Sequence, residues 1–220
     1  MTAHPTISAH EKLWPVFKRQ SIQEAVIRIL SRDGLHALTM ERIARETGIA
    51  KGTVYLHYKD KQALLDAVKD AALSPLMTKL AEILASDAPP QRRLESFALR
   101  YLSYFDEKRS LFRVLLYERE VTRVQSARYQ ADRYRQLVRQ VGEVISQGTK
   151  DGTFRDVPPL KAATMFVESN IAVMNQRLLS ADNGSVEDDA ALIAAIFLGG
   201  VRADDRAPRP AARSRARRVR

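Results

Sequence analysis

Apolar residues recur every three or four positions along nearly all of this chain, a spacing that admits helices and little else. Ile22, Ala25, Val26, Ile29 and Leu30 form one such stripe, the i, i+3, i+4, i+7, i+8 pattern of a helix with one buried face. Its helix is expected to start near Pro15, a favoured first-turn residue, or at Ser21, which can form a capping box with Glu24, and to stop at Gly34. Thr39 reads as the N-cap of a short second helix ending at Gly48, and a third runs from about Ala50 to Tyr58. Asp60 then caps a fourth, with Ala63, Leu64, Ala67 and Val68 on its inner face.

Ser74-Pro75 is expected to end that helix and to mark a domain boundary. Further apolar stripes follow. One contains Leu76, Leu80, Ile83 and Leu84; another has Leu94, Phe97, Ala98, Tyr101 and Phe105. Leu111 to Tyr117 is a compact apolar piece, and a long charged helix then reaches Leu137, Val138, Val141, Val144 and Ile145. Gly148 to Pro159 reads as loop, and the last helices are expected over about Leu160 to Leu179 and Glu187 to Leu198. No strand pair and no internal repeat is legible, so the fold class is all-α.

Composition narrows the function by exclusion. There is no cysteine, which removes disulfides, thiolate metal sites and cysteine nucleophiles. The histidines are His4, His10, His36 and His57, so the chain beyond them has no imidazole for catalysis or zinc. No cofactor or metal is expected. The amino terminus lacks a basic-then-apolar leader, and the longest uncharged stretch near the carboxyl end, Ala190 to Val201, falls well short of the about 20 apolar residues of a membrane span. A cytoplasmic protein is expected. The net charge of +10 is uneven: residues 1–70 carry 11 Lys/Arg against 8 Asp/Glu, residues 71–200 carry 17 against 16, and residues 201–220 carry 8 against 2. More than half of the excess therefore sits in a short Arg, Ala and Pro tail, read as solvated or as a phosphate-contacting arm. Bulk charge does not make the folded body a nucleic-acid binder; a motif has to.

Met40 to Lys59 holds that motif. Ala44 is small enough for the next helix to cross closely, Gly48 permits a left-handed turn, and Val54 points back into a small core with Ile43 and Ile49. Such a pair of helices is the helix-turn-helix unit, whose second helix fits the major groove. The run Leu38-Thr-Met-Glu-Arg-Ile-Ala44, followed by Thr47-Gly-Ile-Ala-Lys-Gly-Thr-Val-Tyr-Leu-His-Tyr-Lys-Asp-Lys-Gln-Ala-Leu-Leu65, closely resembles the signature of the tetracycline-repressor (TetR) family over about Arg19 to Val68. The resemblance implies an N-terminal three-helix helix-turn-helix DNA-binding domain, then a larger helical domain that binds a small effector and dimerises. The expected divisions are residues 1–72, 73–200 and a basic tail, 201–220.

Lys51, Gly52 and Thr53 lie on the first turn of the recognition helix, where side chains reach base edges; lysine can donate to guanine, and threonine offers a hydroxyl or a methyl. Gly52 costs about 1 kcal/mol against alanine in a helix, which close approach to DNA would justify. Tyr55 and Tyr58 carry hydroxyls suited to phosphates, a role the resemblance supports for Tyr55, while Tyr58 also suits the small core. His57 is read as a DNA contact or a surface residue. Lys61 at the start of the fourth helix, and Thr39 at the start of the second, can each meet a phosphate together with free backbone amides. Arg42 and Arg45 are secondary candidates or solvated groups.

In the second domain Phe166, Val167, Asn170, Ile171 and Met174, with Ile193, Ile196 and Phe197 on the final helix, resemble the pair of helices that forms the family's dimer interface; the alternative is an ordinary core. Tyr101, Phe105, Phe112, Tyr117, Met165, Phe166, Asn170 and Met174, with Tyr104 beside them, are candidates to line an effector cavity, or again simply core. Asn170 and the string Glu118-Arg119-Glu120 are the polar features there. The expected partners are operator DNA, a second copy of the chain, and a small apolar or aromatic effector. The function expected is a ligand-responsive repressor on a palindromic operator, the alternative an effector-independent architectural DNA binder. An enzyme is not expected, because Asp106-Glu107 and Asp188-Asp189 are adjacent in sequence and diverge on a helix.

Overall fold

The computed structural model describes residues 9–117, 126–181 and 183–201, with side chains from 17 to 116 and from 131 onward within those bounds. Tyr117's side chain, the string 118–120 and the tail beyond 201 lie outside the described residues. The described chain is helical: α1 (Ala9–Asp33), a 3-10 turn (Leu35–Ala37), α2 (Met40–Thr47), α3 (Lys51–His57), α4 (Lys61–Ala85), α5 (Pro90–Glu107), α6 (Arg109–Tyr117), α7 (Ser126–Lys150), α8 (Pro159–Leu179) and α9 (Val186–Val201).

Local chemistry sets the head. Ile22, Ala25, Val26, Ile29 and Leu30 of α1 are buried, and the helix stops before Gly34 at φ 77°. Thr39 Oγ1 accepts the Arg42 amide at 3.1 Å, capping α2. Gly48 ends α2 at φ 67° with open space where a Cβ would stand, so its backbone angle, not crowding, calls for glycine. Asp60 accepts the Ala63 amide at 2.7 Å and starts α4.

Three expectations change. Helix α1 begins upstream of both proposed starts, so Pro15 lies inside it. Helix α7 continues through Gly148, whose missing Cβ leaves room for the Phe154 ring: a Cβ there would sit 2.3 Å from it. Nor does Ser74-Pro75 end a helix, since α4 runs unbroken to Ala85 and the expected boundary falls within it. Proline removes one helical hydrogen bond. The backbone nearby is gripped from outside: Tyr104 of α5 donates to the Ala72 carbonyl at 2.5 Å, and Arg133 of α7 donates to Ser74 Oγ at 3.3 Å.

The α4 side chains Leu64, Leu65 and Val68, then Leu76, Leu80 and Leu84, join one apolar core running from Ile22 to Val201. In the body, α5 packs on α4, α8 and α9, and α8 packs along α7. At one end Arg177, 5% exposed, donates to Asp106 at 3.1 Å, Asp189 at 2.6 Å and the Asn183 carbonyl at 3.0 Å. Arg109 meets the same Asp106 at 2.7 Å. One guanidinium thus fastens the end of α5, the end of α8 and the start of α9. Replacing it would strand these acceptors. Because Asp106 and Asp189 still reach water, Arg177→Leu is expected to cost about 1–3 kcal/mol, less than the about 3–5 kcal/mol of a fully buried pair. Urea unfolding followed by circular dichroism reads this directly.

Candidate nucleic-acid interface

The surface around α3 is built from short-range constraints. Val54 is fully buried with Ile43, while Thr47 Oγ1 donates to the Ile43 carbonyl at 2.8 Å and accepts the Ile49 amide at 3.3 Å, shaping the turn. With Val54 inward, Lys51, Gly52, Tyr55 and Leu56 are left facing out, and Thr53 and His57 lie half-buried along one flank. Leu56 is 86% exposed. Its apolar surface on a recognition helix was not among the residues read from the sequence.

Lys51 pairs with Glu41 of α2, and its ammonium lies 6.0 Å from the Tyr55 ring centre. The contact pushes the lysine up in pKa and holds the Glu41 carboxyl below the usual carboxylate range, with the Thr39 hydroxyl contributing. Both groups are exposed, so the pair is worth little and is readily exchanged. Lys51 can therefore swing from carboxylate to a guanine acceptor without breaking the fold.

Other sequence candidates divide. Thr39 is exposed at the start of α2, and Tyr55 is 45% exposed. Lys61 is half-buried, its ammonium 3.4 Å from the Leu35 carbonyl. Tyr58 does not reach the surface: it is 5% exposed with its hydroxyl sealed from solvent, and burial pushes its phenol up. It closes the small core because it follows Val54 by one helical turn. Arg42 is likewise committed inward, tied to Asp33 and to Glu46, which Arg32 also holds at 2.9 Å. Arg45 remains exposed.

His57 faces α1. Burial lowers its pKa first, and the nearby Arg19 and Lys18 lower it further. Lys18 and Ser21 of α1 also line a groove with Gly48, Ala50 and Thr53. These α1 cations lay outside the motif as read, but one signal was present: Lys18 precedes Ile22 by one turn and so extends the buried stripe past the edge of the core.

The proposed effector residues are mostly core. Tyr101, Phe105, Phe112, Phe166 and Met174 are buried, with ring centres 5.0 Å apart for Tyr101–Phe105 and 4.5 Å for Phe105–Phe112. Tyr101's phenol is pushed up by burial. Asn170 is fully buried; its amide donates to the Phe166 carbonyl at 2.8 Å, and its Oδ1 has no hydrogen-bond partner among the described residues. Met165 lies apart from this interior and lines the groove between α8 and α9. It is 68% exposed, because one step along a helix from Phe166 turns it away from the interior.

Of the residues expected at a dimer face, Ile196 alone is fully on the surface. Phe166, Val167, Asn170 and Met174 point inward, Ile193 is buried, and Phe197 packs on Phe166 with ring centres 4.9 Å apart. The apolar residues left outside are Met165, Leu192 and Ile196, the last 69% exposed, on a groove of about 620 Å³ between α8 and α9. No helix among the described residues is long and apolar enough to cross a membrane.

Gly52 gives the sharpest test of the surface. A Cβ there would meet nothing within 4 Å, so nothing inside the protein requires glycine. Gly52→Ala is expected to stabilise the fold by about 0.8–1 kcal/mol and to weaken DNA binding, read by thermal unfolding and fluorescence anisotropy on one sample. A variant that is more stable and binds equally well would remove Gly52 from the interface.

Comparison with known proteins agrees with this geometry. Residues 22–68 match the model of bacterial regulatory proteins of the tetR family, and residues 87–175 match a tetracyclin repressor-like C-terminal domain, together more than half of the chain. The HTH-type transcriptional repressor KstR2 of Mycobacterium tuberculosis is 27% identical over 141 residues, covering 63% of this chain and 70% of that protein. A TetR transcription regulator from Haloarcula marismortui has the same fold, with a TM-score of 0.71, 23% identity, and coverage of 85% of this chain and 99% of that one. The structure of SmeT in complex with triclosan gives a TM-score of 0.69 at 19% identity over 86% of this chain and 93% of that one. The chain belongs to the TetR family of helix-turn-helix DNA-binding transcriptional regulators, which are not enzymes.

Proposed function

We propose that this protein is a cytoplasmic repressor that binds a palindromic operator as a homodimer and leaves it when a small effector binds. The observation that carries this reading is the continuity of α4. It begins beside the recognition helix and is gripped at Ala72 and Ser74 by Tyr104 and Arg133 of the body. A change in the body near Tyr104, Phe105 and Phe112 therefore has a rigid path to the head. Half-sites one helical turn apart are spaced at about 34–36 Å, so a few ångströms of head movement prevents both from docking.

The exposed face of Met165, Leu192 and Ile196 supports dimerisation, since two-fold symmetry matches a palindrome. The aromatic interior supports an apolar or aromatic effector, and Asn170 Oδ1, without a hydrogen-bond partner among the described residues, is the polar atom there that a donor on such a molecule would meet. That SmeT has been solved with triclosan supports a small molecule as effector.

Release requires that the effector prefer the state that cannot dock, and by linkage operator DNA must weaken effector binding by the same factor. A compound that raises the melting temperature in a screen of small apolar molecules is the reagent. Titrated against free and operator-bound protein, it is expected to bind the free form about 5–150-fold more tightly. Equal affinities would refute induction, and tighter binding to the complex would make the compound a corepressor.

A further inference from the structure

The recognition helix has two flanks. On one, Glu41 and Thr39 of α2 stand beside Lys51. Along the other, Thr53 and His57, one helical turn apart, face the turn of α1 that carries Lys18, Arg19 and Ser21. Lys18 lines the groove at the Ala50–Thr53 end, where the open space is about 400 Å³. Arg19 lies close enough to both His57 and Tyr58 to act on each electrostatically. Lys18 thus lines the groove beside the start of α3, and Arg19, the next residue of α1, is exposed to solvent.

An α-helix with its side chains is about 10–12 Å across, and the major groove is about 12 Å wide. A docked α3 fills the groove, and whatever lies along its flanks meets the phosphate ridges that wall it. The α2 side offers the Thr39 hydroxyl and the exposed Arg45, together with an acidic group, Glu41. The α1 side offers two positive charges, and Ser21 and Thr53 line the same groove as Lys18. Phosphate is the occupant that matches this charge, and the groove is continuous with the DNA-reading face.

We propose that Lys18 and Arg19 form a second phosphate-binding edge of the DNA interface, gripping the backbone along the Thr53–His57 flank of the recognition helix. The proposal rests on the DNA-binding reading of α3 and assigns to α1, otherwise a packing helix, a share of the affinity that is independent of base sequence. Such contacts position the head on the duplex without specifying bases.

The salt dependence of binding counts these contacts. A short mixed-sequence duplex is the probe, titrated by fluorescence anisotropy across a range of salt. Lys18→Gln combined with Arg19→Gln is expected to lower the slope of log affinity against log salt by about 1.8, from about 0.9 per phosphate released. Exposed Arg19→Gln alone should lower it by about 0.9 and serves if the double variant fails to fold, while Arg19→Lys should restore the slope. A merely structural role would change stability and leave the slope alone. Wild-type binding with an unchanged slope in a folded variant overturns this proposal and spares the DNA-binding reading. A wild-type protein that binds no DNA overturns both.

Discussion

Helix α4 places Leu64, Leu65 and Val68 among the side chains of the head and Leu76, Leu80 and Leu84 among those of the body, so that one apolar core runs through both. Each of these leucines and valines is worth about 1.5–3 kcal/mol when fully buried, so the helix is held strongly at both ends. Between them sits Pro75, which deletes a backbone hydrogen bond where head and body meet. Tyr104 and Arg133 supply contacts to the backbone and side chains on the N-terminal side of the proline. The joint is therefore a stiff helix with one weakened turn, held by groups that belong to the body. In the proposed repressor, this joint is the element that would carry a shift in α5 or α7 to the head while the core stays continuous.

The proposed DNA face also follows from packing. Val54 and Tyr58 are needed to close a core of very few residues, and their burial fixes which side of α3 looks outward. Lys51, Gly52, Tyr55 and Leu56 gain their exposure from that geometry. The exposed ion pair of Lys51 with Glu41 keeps the lysine occupied cheaply in the absence of DNA. The pairs of Arg42 with Asp33 and of Arg32 with Glu46 serve the opposite purpose, fixing α2 against the end of α1.

Much of this was legible in the sequence because the head obeys local rules. Thr39, Gly48 and Asp60 announce their caps by residue type, and all three perform as read. The misses arise where packing between distant segments decides. A proline normally ends a helix, and only Tyr104 and Arg133, arriving from α5 and α7, show why α4 continues. Gly148 reads as loop until Phe154 is seen lying against it. In α8, Met165 and Phe166 are one residue apart and nearly equal in hydropathy, so sequence could not say which of them faces the interior. The face of α9 was equally ambiguous, because apolar and small residues cover it all round and Ile196 stands out only once Phe197 is placed on Phe166.

Two heads acting as one symmetric reader can be tested by selecting genomic fragments that the purified protein retains and weighing the complex by sedimentation. The bound fragments should share an inverted repeat with half-sites about 10–10.5 base pairs apart, centre to centre, or a multiple of this, occupied by two protomers that dissociate together. Binding by a single protomer to an unrepeated sequence would contradict it.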